Sequence, residues 1–126
     1  LGTTPIISMD ENLKTTFGGG AVGATNTANA TGSTTLNFDT YQNHVLTATG
    51  NITLANPSTE SVGQTGFIAI IQDGTGSRTL TLGTDYESPA SGGITLTTTA
   101  SATDIIPYVV VAANRVALGT PQLAFG

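Results

Sequence analysis

Residues 65–82, TGFIAIIQDGTGSRTLTL, decide the fold of this chain. The apolar run 67–71 holds one aromatic residue and three isoleucines, and it is shorter than the roughly 20 residues of a membrane span. Turn-forming residues bound this run on both sides, so it predicts a strand that is buried on both faces. Residues 79–82 then alternate polar and apolar side chains, as a half-exposed strand does. With DGTGS as the turn between them, the stretch predicts a central antiparallel hairpin.

The chain from residue 34 onward repeats this pattern of short strands and turns. Gly50-Asn51 predicts a tight reversal, and Pro107, which has no N–H for a ladder, predicts an edge strand or a bulge. We count seven to nine strands at intervals of about 8–12 residues, without long crossovers. The pattern predicts an all-β domain over 34–126, an antiparallel β-sandwich or jelly roll, with further strands at 34–38, 44–49, 52–54, 94–97, 104–112, 115–118 and 122–125.

The first third of the chain differs in composition. Residues 18–33, GGGAVGATNTANATGS, contain one sizeable apolar side chain, Val22, and cannot offset their backbone entropy unaided. A flexible linker, a surface loop and an arm that orders against a neighbouring subunit all fit this composition. We assign 1–33 to an extended N-terminal arm, with a short edge strand at 3–9 and a loop at 10–14.

Composition excludes several classes of function. The 126 residues include 25 threonines, three Lys and Arg, eight Asp and Glu and no cysteine, for a net charge of −5. Disulfides, cysteine-bound zinc and thiol chemistry are therefore excluded. An acidic chain with few lysines argues against nucleic acid as a partner. No apolar run has the length of a membrane helix, and the first residues lack the features of a signal peptide.

Three groups of residues are candidates for chemistry. The loop 73–78, DGTGSR, contains two glycines but precedes a strand rather than a helix, so it predicts a turn capped by Asp73 and not a phosphate site. His44 lies in an extended segment without an evident nucleophile, which favours a surface or interface position over a general base. Asp85 and Glu87 lie in a loop and are interpreted as solvated acids, with a calcium site or a hydrolase pair as alternatives.

The three tyrosines lie in different segments. We expect Tyr108 to lie in the core or at a contact between subunits, with its hydroxyl group bonded to a hydrogen-bond partner. Tyr41 and Tyr86 are either exposed binding anchors or ordinary loop packing. Since no catalytic constellation emerges, we expect no enzyme, no catalytic residues, no metal and no cofactor.

The order of three segments resembles a module of tailed-bacteriophage virion proteins. They are NHVLTATGNITLANP at 43–57, GQTGFIAIIQDGTGSRTLTLGTDY at 63–86 and ITLTTTASATDIIPYVVV at 94–111. The module is found in fibre, spike and head-decoration proteins, especially of marine phages. The resemblance covers about 60% of the chain and leaves out the N-terminal third. It implies a structural role in the virion, β-rich architecture and frequent homotrimers, and its pattern carries no catalytic residues.

On this basis the primary hypothesis is a capsid decoration, or cement, protein. A homotrimer would sit on the head shell where copies of the major capsid protein meet, after assembly in the host cytoplasm, with 1–33 as the docking arm. The alternative is a head- or tail-fibre module that binds a host receptor or glycan through Tyr41 and the loop 83–93. Neither hypothesis involves nucleic acid or a membrane. A polysaccharide-degrading enzyme that uses Asp85 or Glu87 is a third, weaker hypothesis.

Overall fold

The computed structural model describes residues 18–126, and these form one curled eight-stranded sheet. The all-β prediction is confirmed, whereas a sandwich of two separate sheets is not seen in this range. The sheet order is β1-β2-β3-β6-β7-β5, with β4 also paired to β2 and β8 to β6. The strands are β1 (Thr25–Thr35), β2 (Asn43–Ala55), β3 (Thr65–Gln72), β4 (Leu80–Leu82), β5 (Tyr86–Glu87), β6 (Thr103–Ala112), β7 (Arg115–Leu118) and β8 (Gln122–Phe125), and a 3-10 turn spans Pro89–Ser91.

The first half of the sheet is a parallel coil centred on β2. One edge of β2 pairs with β1, and the other pairs first with β3 and then with β4, all in parallel. His44 lies opposite Ile68 of β3, and Ile52 lies opposite Leu80 of β4. The prediction of a hairpin at 65–82 is therefore wrong, because β3 and β4 are successive segments along the same edge of β2. Residues 73–79 form a corner between them and not a reversal.

The predicted reversal at Gly50-Asn51 is also wrong, because β2 runs through it as one strand. The register with β1 shifts between Ala30 and Gly32, opposite this point, so both strands are irregular there. A Cβ on Gly50 would lie 2.3 Å from Thr31 Oγ1. Glycine at this position leaves room for the Thr31 side chain and does not serve a turn.

β1 and β2 pair in parallel although the connection between them is short and comprises only residues 36–42. Parallel neighbours usually need a crossover of a dozen or more residues. Here the irregularity in the middle of β1 bends the strand, and the end of the strand comes back towards its start. The successive return loops stack on each other: Phe38 N donates to Thr59 Oγ1 at 2.9 Å, and Gln64 Nε2 donates to the Phe38 carbonyl at 2.9 Å. The expectation of purely antiparallel sheets failed because it took short connections to exclude parallel neighbours.

The second half of the sheet is mainly antiparallel. β6 pairs with β3 on one edge and with β7 and β8 on the other, and Asn114 makes the predicted turn between β6 and β7 with φ +59°. β5 pairs with β7 in parallel. Pro107 lies in β6 inside the sheet, not on an edge strand. Its carbonyl accepts from Gly119 N at 2.8 Å, just beyond the end of β7. The proline nitrogen faces the same side, where the partner of β6 changes from β7 to β8 and no donor is needed.

The sheet extends into the range that composition predicts to be an arm. β1 begins at Thr25 and pairs with β2 up to Thr35, and its Ala30 is buried. Residues 18–24 contain no strand and are largely exposed. The strand predicted at 3–9, the loop predicted at 10–14 and the start of the arm lie outside the described residues.

Side chains from all parts of the curled sheet fill one core. Most of its fully buried members come from β2, β3, β6 and β7, and include Leu46, Leu54, Ile68, Ile106 and Val116; Leu36, just after β1, is a further one. Alternate residues of each strand point inward, since the side-chain period of a strand is two. The curl closes the inner face of the sheet on itself and leaves the other face of the strands outside.

Asp104 provides a test of how β8 is held. This buried carboxylate on β6 accepts from Thr97 N at 2.6 Å, from Thr97 Oγ1 at 2.8 Å and from Ala124 N of β8 at 2.9 Å. Asp104→Asn replaces one acceptor oxygen with a donor that faces other donors. We expect a loss of about 1–3 kcal/mol in the free energy of unfolding, measured by urea denaturation. Asp39→Asn, in an exposed turn, is the control, and equal stability of the two variants would contradict the assignment.

Candidate functional site

His44 lies in the core, so the prediction of a surface or interface position is wrong. Its side chain is fully buried, and neither ring nitrogen has a hydrogen-bond partner. The rings of Phe38 and Tyr41 pack edge-on against the imidazole at centroid distances of 5.3 and 6.2 Å. Burial lowers the pKa of His44 to about 4. The imidazole is a neutral packing element with no nucleophile or carboxylate bonded to it.

The three tyrosine side chains pack against other residues of the protein and do not project into solvent. Tyr108 is buried and its hydroxyl donates to the Gln42 carbonyl at 2.5 Å, as predicted for a core contact. Tyr41 is half-buried against His44, and Tyr86 is buried between the core and the loop after β4. Of the two alternatives for Tyr41 and Tyr86, the structure supports loop packing. Burial raises the pKa of Tyr86, and the nearby Glu60 and Asp85 add to this shift.

Asp73 caps the corner between β3 and β4, as predicted. Its Oδ1 accepts from the backbone N–H groups of Thr75 and Gly76, each at 3.0 Å. Its carboxylate also forms an ion pair with Arg78 at 2.7 Å. The hydrogen bond from Arg78 lowers the pKa of Asp73 below its usual value. The corner is a closed structural unit whose amides are already occupied, which is unlike a phosphate-binding loop.

The acids of the loop after β4 separate into two roles. The Glu87 carboxylate forms a bidentate pair with Arg115 of β7, with N–O distances of 2.6 and 2.9 Å. This hydrogen bond lowers the pKa of Glu87. The Asp85 backbone N–H donates to Asn56 Oδ1 at 3.1 Å, and its carbonyl accepts from Val116 N at 2.8 Å. Asp85 thus anchors the loop. Glu87 is neutralised by an arginine rather than paired with a second acid, which does not fit a hydrolase pair.

A concave site of the described residues is a groove beside β4. It has a volume of about 500 Å³ and is open to solvent. A smaller cavity of about 190 Å³ adjoins it at Leu80. We call the two together the β4 groove. Its lining combines the apolar side chains of β4 with hydroxyl groups and one carboxylate, from Leu80, Thr81, Leu82, Thr84, Glu87, Ser88 and Ser91.

Two extended segments form the walls of the β4 groove. One is β4, whose backbone pairs with β2 on the other side. The second is residues 94–98, which include the strand predicted at 94–97. This prediction is wrong, since the segment has no ladder partner, although Ile94 and Leu96 are buried in the core. The groove therefore exposes backbone groups as well as side chains.

Gln72 links the two walls of the groove, because it bonds both the corner 73–78 and the segment 94–98. The side chain is buried, its Oε1 accepts from Arg78 N at 2.9 Å, and its Nε2 donates to the carbonyls of Arg78 and Thr97 at 3.0 and 2.8 Å. Ser77 N adds a bond to the Thr98 carbonyl at 2.8 Å. A glutamine at the end of an apolar strand signals an internal hydrogen-bonding role, but its partners in the chain cannot be inferred from spacing.

Asn56 fixes the outer end of the groove. Its Nδ2 donates to Thr84 Oγ1 at 2.8 Å, and its Oδ1 holds the Asp85 amide. Ser88 Oγ accepts from Gly93 N at 2.8 Å and closes the loop that contains the 3-10 turn. These contacts hold hydroxyl-bearing residues in a fixed arrangement. Such an arrangement can bind a ligand by hydrogen bonds, but it contains no activated nucleophile.

Residues 18–126 bear on two further classes of site, metal centres and membrane spans. No cluster of three or more His, Asp or Glu side chains is arranged to hold a metal ion. No helix in this range is long and apolar enough to cross a membrane.

The β-rich coil is the fold of a structural module, and its similarity to a known family indicates the kind of virus to which it belongs. A model of the protein family described as "Putative phage tail fibre C-terminal domain" matches residues 31–112, more than half of the chain. The chain belongs to this family and is a phage virion protein module. The description supports the fibre alternative better than head decoration. No curated protein and no solved structure matches the chain.

The buried His44 predicts a loss of stability in mild acid. The unfolded chain, with a histidine pKa of 6.5, binds a proton before the folded chain, whose His44 has a pKa of about 4. Stability is therefore complete above pH 6.5 and falls as the pH drops from 6.5 to about 4, by about 3 kcal/mol in total. Chemical denaturation at a series of pH values measures this slope. His44→Leu should flatten it, and an unchanged slope in that variant would contradict the assignment.

Gln72→Glu tests the link that Gln72 makes between the walls of the β4 groove. A carboxylate in place of the amide would face two carbonyl oxygens, so we expect about 1–3 kcal/mol of destabilisation. Hydrogen exchange at the Ser77 amide should also accelerate as the walls separate. Gln122→Glu, on the exposed β8, should leave both quantities unchanged. The link is refuted if Ser77 stays as protected as in the wild type.

Proposed function

We propose that this chain is the host-binding module of a phage fibre, which acts as a homotrimer and binds a glycan of the host surface in the β4 groove. The family match over residues 31–112 supports the fibre role. The groove supports the binding role, because it coincides with the loop 83–93 that the sequence singles out. The proposed module is not an enzyme, and it needs no metal or cofactor.

The chemistry of the groove fits a sugar. Hydroxyl groups of Thr81, Ser88 and Ser91 and the Glu87–Arg115 pair can exchange hydrogen bonds with sugar hydroxyls, and bonds to charged partners are the stronger ones. Leu80 and Leu82 provide apolar surface for the C–H faces of a ring. A few placed polar groups on an apolar floor are typical of a small-molecule site.

The net charge of the protein indicates which class of glycan the groove can bind. The chain carries a net charge of −5. Arg78, which lines the groove, is paired with Asp73, and Arg115 beside the groove is paired with Glu87. An anionic polysaccharide would be repelled by the acidic protein and would find no free cation in the described lining of the groove. The proposal is therefore a neutral glycan.

A blocked groove tests the binding role. Thr81→Trp places a large side chain at an exposed position of β4 that lines the groove. The readout is binding of the full chain to an array of neutral, amino and acidic glycans. We expect the wild type to bind neutral glycans and the variant to lose at least about tenfold in affinity. Ser33→Trp, at an exposed position of β1 two strands away, is the matched control and should bind as the wild type does.

Two results would contradict this function. One is a wild-type chain that binds no glycan on the array. The other is a Thr81→Trp variant that binds as well as the control. Imaging of intact particles separates the fibre from the decoration role: copies at a fibre support the proposal, whereas copies seated on the head shell against the major capsid protein support decoration.

A further inference from the structure

One backbone edge of β4 faces the groove. In a paired strand, the N–H and C=O groups of alternate residues point to opposite edges. The Thr79 carbonyl accepts from β2 at 2.9 Å, and Gly83 N donates to β2 at 2.7 Å, so the odd-numbered residues of this stretch bond to β2. The backbone groups of Leu80 and Leu82 therefore point away from β2, towards the groove that both residues line.

This edge of β4 has no bonding partner within residues 18–126. The facing wall contributes Ile94, Thr95 and Leu96 to the same cavity, but none of their backbone groups is bonded to β4. Leu80 is buried, and nearly all buried backbone N–H and C=O groups in proteins have a hydrogen-bond partner. The edge therefore offers a donor and an acceptor at Leu80, and again at Leu82, to a ligand in the groove.

The contacts of Gln72 show which chemical group fits this edge. Arg78 precedes Leu80 by two residues, so its backbone points to the same side. Arg78 N donates to Gln72 Oε1 at 2.9 Å, and the Arg78 carbonyl accepts from Gln72 Nε2 at 3.0 Å. One carboxamide thus satisfies both backbone groups of one residue. Leu80 and Leu82 repeat this position along the strand without an amide from the described chain.

A ligand that carries an amide can make the same pair of bonds at the next position. The acetamido group of an N-acetylated amino sugar has an N–H donor, a carbonyl acceptor and a methyl group, and it is uncharged. The methyl group suits the apolar residues of the smaller cavity, Leu80, Ile94 and Leu96. The hydroxyl groups of the same sugar can bond to Ser88 and Ser91 in the wider part of the groove.

We propose that the edge of β4 recognises an acetamido group, so that the ligand of the β4 groove is a neutral glycan with an N-acetylated amino sugar. This inference rests on the proposed function and names the class of sugar. An added peptide strand has the same amide chemistry. β4 is only three residues long, however, and hydroxyl groups line the groove beside it, which favours the sugar.

The test compares three sugars that differ in one substituent. The full chain is titrated with methyl N-acetylglucosaminide, methyl glucoside and methyl 2-O-acetylglucoside, and NMR gives a dissociation constant for each. The three galactose counterparts are measured in the same way. The ester keeps the carbonyl and the methyl group and lacks the N–H donor. In at least one series, we expect the acetamido sugar to bind at least about tenfold more tightly than either of the others.

Hydrogen exchange locates the contact without a substitution that could disturb folding. The amide of Leu80 or of Leu82 should exchange more slowly when the chain is saturated with the acetamido sugar. The Thr79 amide already donates to Asn51 Oδ1 at 3.1 Å, so it is the internal control and should keep its exchange rate.

The possible failures separate this inference from the proposed function. Equal binding of the acetamido and hydroxyl sugars in both series would overturn the inference and leave glycan binding standing. Binding on the array that is confined to glycans without an N-acetylated sugar would do the same. Unchanged exchange at both leucine amides, or tighter binding of an N-acetylated tetrapeptide amide than of every sugar, would also overturn the inference. A chain that binds none of these sugars and no glycan on the array would overturn both.

Discussion

The structure depends on the pairing of β2 along both of its edges, although the connection from β1 to β2 consists only of residues 36–42. β1 lies on one side, and β3 and β4 lie on the other, all in parallel. This is possible because the coil bends near Gly50, where the absence of a Cβ lets Thr31 approach. A straight strand would carry its end too far from its start for the loop 36–42 to return. The bend therefore determines the curl of the sheet, the single core inside it and the β4 groove outside it.

Much of the local structure could be predicted from the sequence, and most of the pairing could not. The apolar runs locate β3 and β6, and Asp73 caps its turn as its position suggests. The wrong predictions concern which strands pair with each other. A glycine-rich turn looks the same in sequence whether the chain reverses its direction or only turns a corner. The burial of His44 can be predicted from the sequence, because His44 shares the inward face of an alternating strand with Leu46 and Ala48. The polarity of histidine instead favours an exposed position, and that expectation is wrong here.

The candidate site is harder to predict than the strands, because the groove lies between segments whose relative positions the sequence does not give. The loop 83–93, which the sequence suggests as a region for host contact, lines the groove, but Tyr41 and Tyr86 point inward instead of forming an exposed surface. The opposite wall, residues 94–98, is extended and unpaired, and the alternation of Ile94 and Leu96 gives no sign of that. Gln72 decides where the walls meet, yet its partners Arg78 and Thr97 are brought to it only by the corner after β3. Such long-range hydrogen bonds leave no periodic trace in a sequence.

The proposed homotrimer bears on how the groove would bind its ligand. Association of copies would hold neighbouring grooves in a fixed relation to each other. A groove of hydroxyls without an exposed aromatic ring binds one sugar weakly, but linked weak sites raise overall affinity by orders of magnitude when their spacing matches the ligand. A repetitive polymer on a cell surface meets that condition, whereas a single soluble sugar does not. The low charge and high threonine content of the chain are consistent with recognition by many modest contacts rather than by one strong ion pair.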